Sequence, residues 1–532
     1  PSLEDLWKRV QRIVQGTQCK EGEDELRALL LRAAEDKKDD VIGKLSLALG
    51  TCEYQRSAFP EAVRTLTQAS EAEKDIKEQA LFWLGKALTS MDKNKARAAY
   101  EQLLRLFPTG ELAPNALYKL ALLDIAEDNE DQGLAHLMEI IKRFPESPVA
   151  PEAMWEAGWR LYTLGEYEKA LGLFRSLKTS RFSTPALIYQ VSYWEARAEE
   201  KRGENDTAQR LYLSFRDLPP GYYGLMSRWR LFTMGISITP GAGQGGAAGL
   251  PPTPSTFGAH SLSPNLPPPI FYHYQRAKEL NDLTLKDDAI EEIALILEHG
   301  HLDRGSLLHI CELSRDMEHY TLSQFIPRNY LLKDLEKPPQ EDTLDTWIAA
   351  YPLGHAVLVE EYTRQYSLPP HLLYAVILEE SKFQKKAISR ANAMGLMQVI
   401  PPTGSLAARR TRLKGFSSDL LLDPEINIGL GSWYIKQLLT QYQGNLILAL
   451  ASYNAGPHRV LSWLKDTDSP EADEFVEAIP FTETQEYVKK VLGSLEAYNR
   501  LFGGEIDLEK GISLSSGAKG KVDLKALGIN NH

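Results

Sequence analysis

The order of hydrophobic and polar positions predicts a chain that is helical almost throughout. From Leu3 to about Trp229 amphipathic stretches follow one another, rich in Ala, Leu, Glu, Lys and Arg, with few β-branched runs and short breaks. The same pattern resumes after residue 270, where it predicts paired helices. We therefore expect an all-α protein.

A repeat of 36 or 37 residues runs through the first half of the chain. Ala80, Ala116 and Ala153 each open a similar segment in which an aromatic follows within three residues, and the stretches after the first two both end in Phe-Pro. This period is typical of tetratricopeptide helix-turn-helix units, which stack because one unit cannot bury its apolar face alone. We expect a TPR-like superhelix over residues 1–235, although chance Ala-aromatic coincidences in a helical bundle are an alternative.

Two segments differ from this pattern in composition. Residues 236–269 contain a Gly-rich run followed by seven prolines, and residues 503–532 are rich in Gly, Ser and Lys. Such segments bury little apolar surface. We expect a flexible linker or excursion at 236–269, helices that continue the superhelix at 270–350, a separate domain at 351–502 and a poorly packed tail after it.

Length and charge narrow the function classes. At about 150 residues per domain, 532 residues indicate several domains. The formal net charge of −12 argues against a nucleic-acid partner. No run reaches 18 apolar residues, so we expect no transmembrane segment, and we expect a monomer. The sequence begins at Pro1 without an initiator methionine, which leaves room for a leader segment removed in the cell.

The three cysteines form no CxxC motif and are odd in number. We therefore expect Cys19, Cys52 and Cys311 to be small buried apolar residues rather than a disulfide framework.

Zinc-type ligands cluster at one point of the chain, namely His299, His301, His309 and Cys311. A short turn between two helices explains the same residues, and no second ligand motif supports a metal. We expect neither a metal nor a cofactor.

The first candidate for chemistry is the run from His371 to Ser381, which predicts a largely buried helix that ends in two acids. Burial raises the pKa of a carboxyl toward that of a usable general acid. Both Glu379 and Glu380 fit an apolar face, so periodicity does not choose between them. Adjacent helix residues point about 100° apart, so the two acids are not a catalytic pair.

Three further blocks carry polar residues at element ends. In Ser389 to Thr403, Asn392 and Gly395 tolerate a left-handed backbone, which predicts a tight loop presenting Gln398 and feeding a short helix.

A turn and helix start are predicted at Asp423-Pro424, and Asn445 is predicted to cap a buried helix that stops at Gly456. Tyr453 and Asn454, at the end of that helix, are cleft candidates, or else simple packing and capping residues.

The last long helix is predicted to follow Ile479-Pro480-Phe481, with Glu483 in its first turn and Tyr487 one turn later. Glu483 also has a purely structural explanation, because the helix dipole favours an acid there.

Taken together, these blocks resemble the soluble lytic murein transglycosylases, and they occur in that family's order. The matching residues are Glu380-Ser381; Gly395-Leu396-Met397-Gln398 with Pro401-Pro402-Thr403; Ser452-Tyr453-Asn454-Ala455-Gly456; and Ile479 to Phe481 with Glu483, Thr484, Tyr487 and Val488. Where the family usually has Gly, this chain has Asn392, which can still adopt a positive φ. Where the family usually has Ala, it has Ser452, which is also small.

The resemblance implies a goose-type-lysozyme-like domain that acts on peptidoglycan glycan strands in the periplasm or cell envelope. It implies Glu380 as the single acid and base, which cleaves between N-acetylmuramic acid and N-acetylglucosamine and leaves a 1,6-anhydromuramyl end. The implied substrate-binding residues are Ser381, Met397, Gln398, Tyr453, Asn454, Glu483 and Tyr487. Protein partners of the superhelix are a further expectation.

Two alternatives stay open. A hydrolytic, lysozyme-like muramidase would use water and need a second carboxylate, for which Glu483 is the candidate. A non-catalytic peptidoglycan-binding scaffold would need no acid, and the Glu380-Ser381 pair argues against it.

Overall fold

The computed structural model describes residues 19–36, 38–236, 266–298, 301–465 and 471–514. Within these ranges the regular structure is helical, and isolated β-bridges join only Met394 with Ile388 and Val399. The expected all-α class is confirmed. The chain forms two compact units, residues 1–208 and 209–532.

Unit 1 is built from successive helices that pack as neighbours. They are α1 (Cys19–Glu35), α2 (Asp39–Gln55), α3 (Phe59–Ala69), α4 (Lys74–Thr89), α5 (Lys93–Leu106), α6 (Ala113–Ile125), α7 (Glu130–Arg143), α8 (Ala150–Thr163), α9 (Tyr167–Lys178), α10 (Pro185–Lys201) and α11 (Asn205–Ser214), the last of which crosses the boundary to unit 2.

Small residues set the close approach within each helix pair. A Cβ at Gly85 of α4 would lie 2.5 Å from the Tyr100 ring of α5. Two repeats later, a Cβ at Gly158 of α8 would lie 2.6 Å from the Phe174 ring of α9. An aromatic ring of the second helix therefore fills the space that a glycine leaves on the first, which is the packing expected of TPR-like units.

The prediction for the cysteines is wrong for two of them. Cys19 and Cys52 form a disulfide with Cα atoms 5.3 Å apart, and Cys311 is free and buried. The bond forms because α1 and α2 pack against each other and bring the start of one beside the end of the other. An odd number of cysteines still allows one pair.

Unit 2 continues with a group of helices, of which those after the first form a core of their own. The group comprises α12 (Tyr222–Thr233), α13 (Pro268–Asp282), α14 (Lys286–Glu298), α15 (Arg304–Asp316), α16 (Tyr320–Tyr330), α17 (Leu332–Leu335) and α18 (Leu344–Ala350). Helices α13 to α16 bury Tyr274, Ile293, Ile310 and Cys311 together, as expected of paired helices. Helix α13 begins at Pro268, inside the segment expected to be a linker; residues 237–265 of that segment lie outside the described residues.

The rest of unit 2 holds the predicted chemical blocks. Its helices are α19 (Ala356–Tyr366), α20 (Leu372–Ser381), α21 (Pro401–Thr411), α22 (Pro424–Gln441), α23 (Leu446–Ala455), α24 (Pro457–Lys465), α25 (Ala472–Glu477), α26 (Thr482–Phe502) and α27 (Leu508–Gly511), with 3₁₀ turns at Phe215–Asp217 and Ser418–Leu422. The predicted caps form: Asp423 accepts from Ile426 N at 3.1 Å and Asn445 from Leu448 N at 2.9 Å.

The expected tail is wrong for its first part. Ile506 and Ile512 are buried, and Asn445 Nδ2 donates to the carbonyl oxygens of Ile512 and Ser513 at 3.2 and 3.0 Å. Two apolar side chains and these hydrogen bonds suffice to pack residues 503–514 against the end of α22 and the start of α23. Residues 515–532 lie outside the described residues.

Helix α12 packs along α26, although more than 250 residues separate them. Tyr223 Oη donates to Glu477 Oε1 at 2.8 Å, and Arg228 forms an ion pair with the buried Glu496 of α26. Gly493 permits the approach, because a Cβ there would lie 3.1 Å from Tyr222 N. Among the described helices, none is long and apolar enough to cross a membrane.

Candidate active site

Helix α20 carries two acids at the end of an apolar segment. Its residues from Leu372 to Leu378 are all buried, so the helix lies inside the domain and its direction is fixed by packing on every side. Glu379 and Glu380 leave this segment in different directions and enter different surroundings.

Glu379 belongs to an ion-pair network. Its carboxylate accepts hydrogen bonds from Lys382 Nζ at 2.7 Å and from Ser494 Oγ of α26 at 2.6 Å. Burial alone would raise the pKa of Glu379, but Lys382, Ser494 and the nearby Arg328 outweigh it and hold the pKa below its ordinary value. Glu379 is therefore ionised at neutral pH and is a poor proton donor.

Glu380 is in the opposite situation. Burial raises the pKa of Glu380 to about 7; the nearby Tyr487 hydroxyl opposes the rise, the charges of Glu379 and Glu483 add to it, and Lys382 lowers it. A carboxyl with a pKa near 7 is populated in both protonation states at neutral pH, which suits a group that gives and then takes a proton. Of the two acids that periodicity left open, the structure favours Glu380.

Two tyrosines lie next to the Glu380 carboxyl. Burial and the charge of Glu380 raise the pKa of both Tyr453 and Tyr487 well above the ordinary value, so both stay protonated and can donate. Tyr453 Oη donates to Met397 O at 2.8 Å. The Tyr487 hydroxyl is buried and makes no hydrogen bond of normal geometry within the described chain, although it is close enough to affect Glu380.

The predicted tight loop precedes α21. Asn392 and Gly395 have φ of 59° and 75°, as expected, and Gln398 also has a positive φ of 46°. Only glycine fits at position 395, because a Cβ would lie 2.1 Å from Leu421 O. The loop then leads into the short helix α21, as the sequence indicates.

The side chain of Asn427 holds this loop in place, a role that the sequence pattern did not predict. Its Oδ1 accepts from Met397 N at 2.7 Å, and its Nδ2 donates to Met394 O and Leu421 O at 2.8 and 2.7 Å. The side chain is fully buried. The available signal was an amide among the apolar residues that follow the Asp423 cap of α22.

Three of the predicted site residues face inward. Ser381 Oγ donates to Ile377 O at 3.2 Å, and Gln398 Nε2 donates to two loop carbonyls at 2.9 and 3.1 Å. The Met397 side chain is fully buried, and a Cβ at Gly431 of α22 would lie 2.6 Å from its sulfur. In this structure these side chains support the walls of the site.

Asn454 and Glu483 complete the predicted set. Asn454 Oδ1 accepts from Thr484 Oγ1 at 2.6 Å, which joins the end of α23 to the start of α26. Glu483 is exposed in the first turn of α26 and lies close enough to raise the pKa of Glu380. The structure thus brings Glu380, Tyr453, Tyr487 and Glu483 together, with Asn454 beside them.

The zinc-type residues that the structure describes lie elsewhere in unit 2. His309 Nδ1 is 3.8 Å from Glu312 of its own helix, and Cys311 is buried in the apolar core of α13 to α16. His299 lies outside the described residues.

The arrangement around Glu380 can perform proton transfer by one carboxyl group. Glu379 is held ionised next to Glu380, and the neutral Tyr487 hydroxyl can donate to a ligand or to the Glu380 carboxylate, whereas the Tyr453 hydroxyl donates to Met397 O. The other acid that faces Glu380 is Glu483, which is exposed.

Comparison with protein families matches two kinds of domain. Residues 357–476 match the transglycosylase SLT domain, and residues 79–110 and 118–184 match tetratricopeptide repeats. Over 157 residues the chain is 40% identical to the soluble lytic murein transglycosylase of Escherichia coli K12, which is 29% of this chain and 24% of that protein. A putative soluble lytic murein transglycosylase of Haemophilus influenzae is 42% identical over 119 residues, 22% of this chain and 20% of that protein. The matched region thus spans about a quarter or less of these relatives' length.

Two solved structures share the fold over nearly the whole chain. The 70 kDa soluble lytic transglycosylase of E. coli has a TM-score of 0.65 at 19% identity and covers 97% of this chain and 82% of its own. An inactive mutant of the lytic transglycosylase Slt of Pseudomonas aeruginosa has a TM-score of 0.64 at 20% identity, with 95% and 83% covered. The expected resemblance and the fold class, a TPR-like helical array followed by a lysozyme-like domain, are confirmed.

Proposed function

We propose that this chain is a peptidoglycan lytic transglycosylase in which Glu380 is the only general acid and base. The observation that carries the proposal is the contrast between the two adjacent acids: Glu379 is ionised by its partners, whereas burial and that neighbouring charge raise the pKa of Glu380 to about 7. The SLT-domain match over residues 357–476 supports the reaction class.

The proposed reaction needs one carboxyl group. Protonated Glu380 donates to the glycosidic oxygen between N-acetylmuramic acid and N-acetylglucosamine, and the bond to the muramyl C1 breaks. The Glu380 carboxylate then takes the proton of the muramyl C6 hydroxyl as that oxygen bonds to C1. The 1,6-anhydro ring closes, the proton is back on Glu380, and water is not consumed.

Neighbouring groups fit supporting roles in this reaction. The Tyr487 hydroxyl, which lacks a normal hydrogen bond in the described chain, donates to the Glu380 carboxylate formed in the first step. Tyr453, Asn454 and Glu483 contact the glycan, and Ser381, Met397 and Gln398 hold the surfaces that the glycan touches. In this proposal residues 351–502 are the catalytic domain and residues 1–235 and 270–350 form the helical scaffold.

The disulfide supports the expected compartment. Structural disulfides persist in oxidising environments such as the periplasm and are rare in the cytosol. The Cys19–Cys52 bond therefore agrees with a protein that acts in the cell envelope, where peptidoglycan lies.

A hydrolytic muramidase is the second candidate, because the carboxylate of Glu483 faces Glu380. In that reaction Glu483 would activate a water molecule. Glu483 is exposed in a first helical turn, a position where acidic residues are common whether or not they have a catalytic role. Glu483→Gln separates the two, since it would abolish hydrolysis but leave transglycosylation in place, reduced by weaker binding and by a lower pKa of Glu380.

The test of the proposal is release of soluble fragments from purified peptidoglycan. Glu380→Gln removes the transferable proton at nearly constant volume, so we expect at least about a thousand-fold loss of activity with an unchanged melting temperature. Glu486→Gln removes an exposed charge from α26, the helix that carries Tyr487, and serves as the control, with activity near that of the unmodified chain. Near-full activity of Glu380→Gln would contradict the proposal.

A further inference from the structure

Two lysines of unit 1 lie on one face of neighbouring repeats without a carboxylate partner. Lys86 is on α4 and Lys119 on α6, the first helices of successive repeats. Both are half-buried and close enough to repel each other. Within the described residues, neither has an acidic side chain at ion-pair distance or one whose charge offsets its burial.

Aromatic rings lie against Lys86. Lys86 Nζ lies 4.0 Å from the centre of the Trp83 ring and 4.9 Å from that of Tyr54. The two rings pack edge to face at 5.4 Å, and both are half-buried. We call Tyr54, Trp83, Lys86 and Lys119 the Lys86–Lys119 face. It offers two positive charges beside flat apolar surface.

This pair is costly for the folded chain. Burial lowers the pKa of both lysines, and the charge of Lys119 lowers that of Lys86 further. Other enclosed cations of unit 1 are compensated: Arg97 pairs with Asp124 and Glu127. The aromatic rings offset part of this cost for Lys86, but half-buried like charges without a carboxylate partner reduce stability unless a ligand neutralises them.

The next repeat carries an acid in place of one of these lysines. The position of Lys119 in its repeat is occupied by Glu156 in the next, counting from Ala116 and Ala153. Glu156 forms an ion pair with Arg160 at 2.9 Å, and Arg160 also forms an ion pair with Glu130 at 3.2 Å. A long acidic protein segment that ran along the array would therefore contact Lys86 and Lys119 and then, one repeat later, lie beside the carboxylates of Glu156 and Glu130. A short peptide with one or two carboxylates fits the face.

We propose that the Lys86–Lys119 face binds the carboxylates of peptidoglycan peptide stems, an inference that rests on the proposed function. The glycan itself offers these lysines little charge, whereas each short stem carries free carboxylates. The stem carboxylates pair with Lys86 and Lys119, and its small apolar side chains cover Trp83 and Tyr54.

The test is calorimetric binding of free stem peptides, cut from purified peptidoglycan by an amidase, to the full chain. Lys86→Gln/Lys119→Gln removes both charges. We expect it to weaken binding at least about tenfold, because a charge-assisted hydrogen bond to each lysine is lost. Lys93→Gln/Lys142→Gln removes two exposed charges from the same unit and should bind as the unmodified chain does.

Equal affinity of the two double variants would overturn the inference, as would tighter binding of a ten-residue poly-glutamate peptide than of the stems. Lys119→Met controls for folding: it removes an uncompensated charge, so its melting temperature should stay the same or rise while stem binding weakens. Binding is measured without turnover. A chain that releases nothing from peptidoglycan yet binds stems through Lys86 and Lys119 would contradict the proposed function and support this inference.

Discussion

At the scale of single residues, two neighbouring acids on one helix have pKa values shifted in opposite directions because their surroundings differ. Glu379 has Lys382, Ser494 and Arg328, and Glu380 has tyrosine hydroxyls and two negative charges. The proposed chemistry needs Glu380 protonated to begin. The rate should therefore fall as pH rises through about 7, which is the raised pKa of Glu380.

We call the pH above which the rate falls the alkaline limit. Replacing Glu379 by Gln should move this alkaline limit to lower pH. The substitution removes a negative charge that raises the pKa of Glu380, so Glu380 loses its proton at a lower pH. The measurement is kcat/KM against pH on purified glycan. A limit that stays in place or moves upward would show that Glu379 does not act through Glu380.

Tyr487→Phe should move the same limit in the opposite direction. The Tyr487 hydroxyl stabilises the ionised form of Glu380, so its loss raises the pKa of Glu380 and extends the protonated form to higher pH. Tyr366→Phe, in α19, is the matched control and should leave the profile unchanged. If both active-site variants shifted the limit in the same direction, the assignment of these contacts would be wrong.

At the scale of elements, the loop before α21 depends on one buried amide. Asn427→Ala leaves the backbone groups of Met397, Met394 and Leu421 without their partner, and we expect a loss of about 3 kcal/mol in the free energy of unfolding. Chemical denaturation measures it. Asn329→Ala removes one exposed hydrogen bond within α16 and should change stability by less than about 1 kcal/mol. An equal effect of the two substitutions would contradict the role of Asn427.

Local features of the elements could be predicted from the sequence, and long-range ones could not. The caps at Asp423 and Asn445 and the positive φ at Asn392 depend on residues a few positions apart, so the pattern shows them. The contacts of Glu379 with Ser494 and of Asn427 with Met397 join residues 115 and 30 positions apart. The hydrophobic period does not show which distant residues a side chain will contact. For this reason it could not choose between Glu379 and Glu380 as the proton donor.

At the scale of the molecule, the proposed catalytic part of unit 2 is supported by a helix from far upstream. Helix α12 packs on α26, and Arg228 pairs with Glu496 in a buried position. Burial raises the pKa of Glu496, with Arg228 and Arg500 opposing the rise. Because α26 carries Tyr487 and Glu483, we expect a substitution that breaks the Arg228–Glu496 ion pair to disturb the site around Glu380.

Arg228→Met should lower the free energy of unfolding of unit 2 by about 3–5 kcal/mol, since it leaves Glu496 buried without its main partner. The double variant Arg228→Met/Glu496→Leu should recover most of that loss. Equilibrium unfolding of the full chain, followed by circular dichroism, measures both. A double variant as unstable as the single one would show that packing of α12, rather than the ion pair, dominates.

The most direct test of the central proposal is the mass of the glycan ends released from purified peptidoglycan. A reaction in which the muramyl C6 hydroxyl attacks C1 gives 1,6-anhydromuramyl ends that are lighter by one water than hydrolytic products. We expect anhydro ends from the unmodified chain and none from Glu380→Gln. Reducing ends that have gained a water would contradict transglycosylation and favour the muramidase with Glu483, and no release at all would contradict catalysis.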